Sequence, residues 1–410
     1  MRRAVMMSMA AVVAMSASSI DEAFVAGKSS GVIRAAYVDK DNKVDTDTYG
    51  TAIGGILKYE TADWNGLKLG AAAYVSQKIH SATGENTKST TDLFNADKKS
   101  YAYMGEAYLD YTIDGLNLRV GRQLIDTPFA DTDDIRMHPN TFEAAIATYS
   151  GIENTTLIGG YVKRWAGYDS GSDISKFKRF AGEESQGVAV AGIVNESVEN
   201  LTLQAWYYSI DKLANAFYGD ATYAIPFSET VGLEFVGQYA NFSEENDAFD
   251  ENTGLYNIAS NVDGSVYGIG ANMTLDMLTL GAAYNKASNN QGKTISNGFG
   301  GGPYLTSMEE VTIAGYQDVK AYQLSAELDM AKAGVEGLSF TALYGSFKST
   351  PRDMKIKEID LIATYEVNEA FNAEVSYAMI DDKNKNTFDN AGTSDDGSFD
   401  RLLVRLNYNF

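Results

Sequence analysis

Period-two alternation of apolar and polar residues runs through nearly all of this 410-residue chain, and it leaves few folds open. In YAYMGEAYLDYTI, one face holds Tyr101, Tyr103, Gly105, Ala107, Leu109, Tyr111 and Ile113. The other holds Ala102, Met104, Glu106, Tyr108, Asp110 and Thr112. Such a run is a β-strand between two different environments. About eighteen segments of roughly ten residues repeat the pattern, from SGVIRAAYV near the start to FDRLLVRLNYNF at the end. Segments of that length and even number predict an all-β, antiparallel transmembrane barrel of about eighteen strands, crossing an outer membrane at a steep tilt.

The connections support this reading. Asp63-Trp64-Asn65-Gly66, Asp114-Gly115, Val198-Glu199-Asn200, Asp276-Met277 and Asn368-Glu369-Ala370 are tight turns. Between them lie long stretches from Lys78 to Ser100, Asn241 to Gly264 and Ser288 to Val319. Short turns at one end and long loops at the other match bacterial outer-membrane barrels, with the short turns periplasmic. The apolar faces are padded with Ala and Gly and tipped by Tyr, which suits lipid with an aromatic girdle better than an interlocking core. About eighteen strands enclose a water-filled lumen.

Composition narrows the function. The chain has 33 basic against 55 acidic residues, a formal charge of -22, which repels nucleic acid and suits cations or basic solutes better. It has no cysteine, so disulfides, thiolate metal sites and cysteine nucleophiles are excluded. Arg2 and Arg3 followed by the apolar run from Ala4 to Met15 predict a signal peptide over residues 1–17, leaving 18–410 as the barrel. No apolar run is long enough for a transmembrane helix.

Alternation also assigns the lumenal side chains. A basic wall of Arg34, Lys58, Lys68, Arg119, Arg401 and Arg405 falls on one sector, because the last strand of a closed barrel pairs with the first. Arg122 and one of Lys163 or Arg164 join it, depending on bulges. An acidic wall of Glu106, Asp110, Glu234, Glu327, Asp360, Glu366 and Glu374 is expected elsewhere, giving a transverse field that orients dipolar solutes.

The stretch LRVGRQLIDTPFADTDDIRMHPNTFEA, with GGYVKRWAGYDSG and DEAFVAGKSSGVIRAAYVDKD, resembles the OprD-type outer-membrane porins. The resemblance implies an eighteen-stranded barrel, a third extracellular loop folded inward, and a ladder of lumenal basic groups that guides carboxylates. By that analogy Asp126, Asp131, Asp133, Asp134 and Arg136 form the constriction loop. The final Phe410, on one face with Tyr408, Leu406, Val404 and Leu402, resembles the signal read by the barrel-assembly machinery.

Other motifs carry less. The glycine-rich NGFGGGP, Asn297 to Pro303, lacks the strand and helix of a dinucleotide site and reads as a flexible loop. His80 and His138, the two histidines, are far apart and form no metal cluster, and no cofactor or catalytic group is expected. The acidic stretches SEENDAFDEN and DDKNKNTFDNAGTSDDG lack calcium-loop spacing. The expectation is a passive channel in the outer membrane of a Gram-negative bacterium for small hydrophilic solutes and ions, such as amino acids, short peptides or carboxylates. Its partners would be membrane lipid and lipopolysaccharide, with a homotrimeric assembly whose contacting strands are not identified. The sign of ion selectivity is open, since the overall charge favours cations and the ladder anions. Two alternatives stand beside it: a surface adhesin, and a barrel-embedded lipid hydrolase using His138 as base.

Overall fold

The computed structural model describes residues 17–171, 173–245, 248–250, 255–258, 261–290, 292–351, 353–385 and 396–410. The proposed signal peptide lies outside them except for Ala17, as do parts of both acidic stretches. A short helix, α1 (Ile20–Val25), is capped by Ser19. The chain then enters a sheet of β1 (Lys28–Asn42), β2 (Thr48–Glu60), β3 (Leu67–Lys78), β4 (Tyr101–Ile113), β5 (Leu116–Gln123), β6 (Thr141–Ile152), β7 (Thr155–Ala166), β8 (Val188–Val198), β9 (Leu201–Ile210), β10 (Ala214–Pro226) and β11 (Val231–Glu244). A minor hairpin of β12 (Ala248–Asp250) and β13 (Leu255–Ile258) interrupts it. The sheet resumes with β14 (Gly264–Leu275), β15 (Leu278–Ser288), β16 (Val319–Asp329), β17 (Leu338–Ser349), β18 (Met354–Glu366), β19 (Phe371–Asp382) and β20 (Phe399–Asn409).

Each strand pairs antiparallel with its neighbours, and β20 pairs with β1 from Val32↔Asn409 to Asn42↔Phe399, closing an 18-stranded barrel. Closure leaves the 18-stranded sheet without an edge strand, as a β-structure that spans lipid requires. At one end the hairpins turn within a few residues. Asp114 and Gly115, both at positive φ, make the tight turn between β4 and β5. At the other end run the connections 79–100, 124–140, 167–187, 289–318 and 383–398.

The faces separate as alternation predicts. Ile33, Leu57, Phe235, Ile269, Leu324 and Leu361 are exposed on the outside, in an apolar band that suits lipid. One face assignment fails locally. A bulge in β4, where Glu106 pairs with Ala72 but Met104 pairs with Ala73, leaves Gly105 unpaired and reverses the alternation above it. Tyr101 and Tyr103 therefore turn inward with Glu106, Tyr108 and Asp110, while Ala102 and Met104 face outward. Gly105 is required there because a Cβ would sit 2.7 Å from the Tyr74 ring.

Candidate permeation site

Long connections fold into the barrel, 124–140 and 289–318 among them. Residues 124–140 enter first, because Pro128, Pro139 and four aspartates give the segment no strand-forming pattern and its polar groups find partners on the inner wall. Arg34 on β1 holds Asp134 through a two-armed ion pair, Nη1 to Oδ1 at 2.6 Å and Nη2 to Oδ2 at 2.7 Å. Its Nε donates to Asn407 at 2.7 Å and Nη1 also to the Arg136 carbonyl at 2.9 Å. Arg405 on β20 donates to the Asp134 carbonyl and to both oxygens of Glu374. Desolvation opposes the charge on Asp134, but Arg34, reinforced by Arg405, holds its carboxyl below the usual range.

His138 is buried in a cage of Tyr74, Tyr101 and Tyr103. Its Nδ1 meets the Tyr101 hydroxyl at 2.9 Å and its Nε2 the Val75 carbonyl at 3.0 Å. Burial, then the Arg34 charge, pushes its imidazole down to about 4. With both nitrogens engaged and the ring only 4% exposed, His138 is not placed to act as the general base that the lipid-hydrolase alternative requires.

The second inward connection is 289–318. Its glycine-rich segment is not the flexible loop that composition suggests: the backbone N–H groups of Gly301 and Gly302 each donate to the Asp131 carboxylate at 3.1 Å. Gly302 takes a φ of 72°, a backbone geometry that favours glycine. Phe299 packs edge-on against Phe180 and Trp165. Further along, the Glu309 N–H donates to Asp360, and those of Glu310 and Val311 to the two oxygens of Glu358, both acids being buried on β18. Arg401 pairs with Glu310 at 2.6 Å and Glu309 at 3.2 Å, and Arg136 bridges Glu310 at 3.2 Å to Asp92 at 3.5 Å. The loops 79–100, 124–140 and 289–318 are thus joined through one buried guanidinium.

The six cations of the expected basic wall divide into two groups. Arg34, Arg401 and Arg405 are only 6, 1 and 11% exposed, sunk beneath the inward loops. Lys58, Lys68 and Arg119 remain 25, 35 and 30% exposed. The expected separation of basic and acidic sectors does not hold. Glu106 on β4 lies 2.9 Å from Lys58 on β2, the two in one register row across Ala72 of β3, and Asp110 on β4 lies 2.6 Å from Arg119, its register partner on the adjacent β5. Glu374 pairs with Arg405 for the same reason of strand adjacency. The Tyr108 ring lies 5.2 Å from Lys58 Nζ and 4.5 Å from the Arg119 guanidinium, and its hydroxyl donates to Glu60 at 2.6 Å.

The other residues have these positions. Glu234 accepts from Asn272 at 2.9 Å, while Glu327 and Glu366 stand in register with Thr341 and Asn372. Asp126 caps Thr132. Asp133 lies beside Asp169, whose carboxyl is pushed up to about 7 by burial and then by the Asp133 charge. The bulge in β7 falls at Lys163, so Arg164 pairs with Glu143 at 2.5 Å, and Arg122 lies 3.9 Å from the same carboxylate. Sequence reasoning missed Asp92, Glu309, Glu310 and Glu358. The first three sit in loops without periodicity, whereas Glu358 shares the parity of Asp360 and was accessible to the same argument.

Comparison with known proteins agrees with this architecture. The barrel superposes on Acinetobacter baumannii OccAB3 with a TM-score of 0.78 at 14% identity, covering 94% of this chain and 99% of that one. Pseudomonas aeruginosa OccK9 (OpdG) gives 0.76 at 17% identity, covering 95% and 100%. Pseudomonas aeruginosa OpdK, solved with vanillate, gives 0.76 at 16% identity, covering 94% and 98%. No curated protein sequence matches. The model for the outer membrane porin, OprD family, matches residues 22–410. With closed barrel, inward loops and charged inner wall agreeing, this chain belongs to the OprD family of outer-membrane porins.

Proposed function

We propose that this porin passes small zwitterions and carboxylates, such as amino acids and short peptides, down their gradients along the partly exposed cations Lys58, Lys68 and Arg119. The observation that carries this reading is their pairing. Each stands within 4 Å of a carboxylate, respectively Glu106, Glu60 and Asp110, and keeps a quarter or more of its side chain accessible. A solute carboxylate meets the cation while its ammonium group meets the neighbouring acid. In wet surroundings each contact is worth about 1 kcal/mol or less, so passage stays fast and selection is a property of the series. Arg34, Arg401 and Arg405 act instead as anchors of the inward loops, setting pore width.

Around this function, residues 1–17 serve as the export signal. The C-terminal strand ending at Phe410, whose ring is exposed like the Tyr408 ring and the Leu406 side chain, addresses the assembly machinery, and the barrels associate as homotrimers.

The test is single-channel current in a planar bilayer under a salt gradient. Replacing Lys58, Lys68 and Arg119 together by Gln should move the reversal potential toward cation selectivity and lower the permeability ratio of a zwitterionic amino acid to chloride. An unchanged reversal potential in a variant of normal conductance would place the conducting path elsewhere.

A further inference from the structure

The outer wall carries a cluster of positive charge that neither the pore nor the lumen uses. Lys286 on β15 stands in register with Lys320 on β16, Lys320 with Lys348 on β17, and Lys348 with Lys355 on β18. All four are exposed, and the residues flanking each, such as Val319 and Ala321, or Met354 and Ile356, are buried inward. The four ammonium groups therefore share the outer face, in one unbroken row across four strands. Among the described residues none of them has an acid within ion-pairing distance. The row continues to Lys383, whose N–H meets the Lys355 carbonyl, and that lysine alone is neutralised, by Asp381.

Like charges opposite one another on neighbouring strands repel and destabilise a sheet. A chain with a net charge of -22 has little reason to gather bare lysines in this way unless an anion lies against them. Their height identifies that anion. Two residues down the strands lie Tyr284 and Tyr322, in register with each other, and the Tyr322 and Tyr344 rings are 6.0 Å apart. Below Tyr284 and Tyr322, in one register row, come Leu324, Tyr344 and Ile359, Leu324 and Ile359 being exposed on the lipid-facing band. From Lys320 to Asp329 β16 spans about 30 Å along its axis, which a tilt of about 40° reduces to roughly 23 Å, close to the apolar height of an outer-membrane barrel. The row lies at the long-loop end of that band, directly above an aromatic girdle, at the level of the outer leaflet's headgroups.

We propose that Lys286, Lys320, Lys348 and Lys355 form a binding site for the phosphate groups of the outer-leaflet glycolipid, lipopolysaccharide. Tyr284, Tyr322 and Tyr344 receive the upper acyl chains, and the lysines reach up to the phosphorylated sugars. A basic group near a membrane surface contributes about 1 kcal/mol, a factor of about 5 per lysine, so removing all four should weaken binding by several hundred-fold.

The test compares wild type with K286Q/K320Q/K348Q/K355Q, both refolded in neutral detergent and titrated with lipopolysaccharide, with bound lipid counted by native mass spectrometry. The row variant should lose affinity by two to three orders of magnitude. If it does not refold, K320Q/K348Q should lose about thirty-fold by the same factor. A variant with equal charge loss in the loops, K43Q/K88Q/K99Q/K176Q, should bind as wild type does. Dephosphorylated lipopolysaccharide should bind wild type as weakly as it binds the row variant, and inorganic phosphate should compete only weakly. Without lipid, the row variant should unfold no earlier than wild type, because substitution relieves repulsion; with lipid, it should unfold earlier. Equal affinity of wild type and row variant, an equal loss in the loop variant, or full competition by inorganic phosphate would each overturn the proposal.

Discussion

The His138 cage makes the inward loop 124–140 sensitive to acid, and the size of the effect follows from its geometry. Its imidazole is neutral, with Tyr101 on one nitrogen and the Val75 carbonyl on the other. Burial, then Arg34, pushes its pKa down to about 4, while Asp134 and the Val75 and Gly55 backbone pull the other way. In a loop released into water the same group titrates near 6.5. The seated loop therefore binds fewer protons than the released one. The lock is at full strength above about pH 6.5, weakens as pH falls toward 4, and changes no further below that through this group. At pH 5 the loss is about 2 kcal/mol, or roughly thirty-fold in the population of released loop. Single-channel recordings in symmetric salt should show the released-loop state occupied for about a thirty-fold larger fraction of the time at pH 5 than at pH 7.5. His138→Gln cannot titrate, so it should raise the baseline occupancy and remove this component of the slope. An identical slope in wild type and variant, or a flat wild-type profile, would refute the assignment of the lock to His138.

Further expectations concern the second loop and the lipid face. Asp131→Asn leaves one of the Gly301 and Gly302 N–H groups facing an amide donor, which should cost about 2 kcal/mol of loop seating; increased open-channel noise at constant mean barrel stability would report it. Leu324→Arg places a charge near the middle of the lipid-facing side of β16 and should destabilise the barrel by about 2–4 kcal/mol in vesicle refolding titrations, whereas Leu324→Phe should change it by less than about 1 kcal/mol. Arg34→Gln removes the two-armed partner of Asp134 and should cost about 3 kcal/mol of loop anchoring, read as a wider, less regular conductance distribution.

The period of two is a local property, so the eighteen barrel strands, their lipid-facing and inward faces, and the end carrying the short turns could all be read along the chain. The reading failed where one extra residue entered a strand. The bulge at Gly105 turns Tyr101 and Tyr103 inward to enclose His138, and only strand pairing reveals it. Electrostatic partnership was equally out of reach for alternation, which marks Lys58, Arg119, Glu106 and Asp110 as inward but says nothing of their distances. Register then sets acid against base, Asp110 beside Arg119 on the next strand and Glu106 across Ala72 from Lys58, so sectors expected to oppose each other neutralise side by side.

The inward loops are the clearest case of what tertiary structure decides. Arg34 and Asp134 are 100 residues apart, Asp131 and Gly301 170, and Arg405 and Asp134 271. Nothing in the loops' own composition separates an aspartate solvated outside from one seated on a wall arginine. That choice depends on barrel closure, which brings β1 and β20 together and presents Arg34 and Arg405 to one carboxylate. The sequence alone determined a barrel with a charged interior. The closed structure decided which charges remain free to meet a solute, because desolvation and pairing depend on neighbours that only the fold assembles.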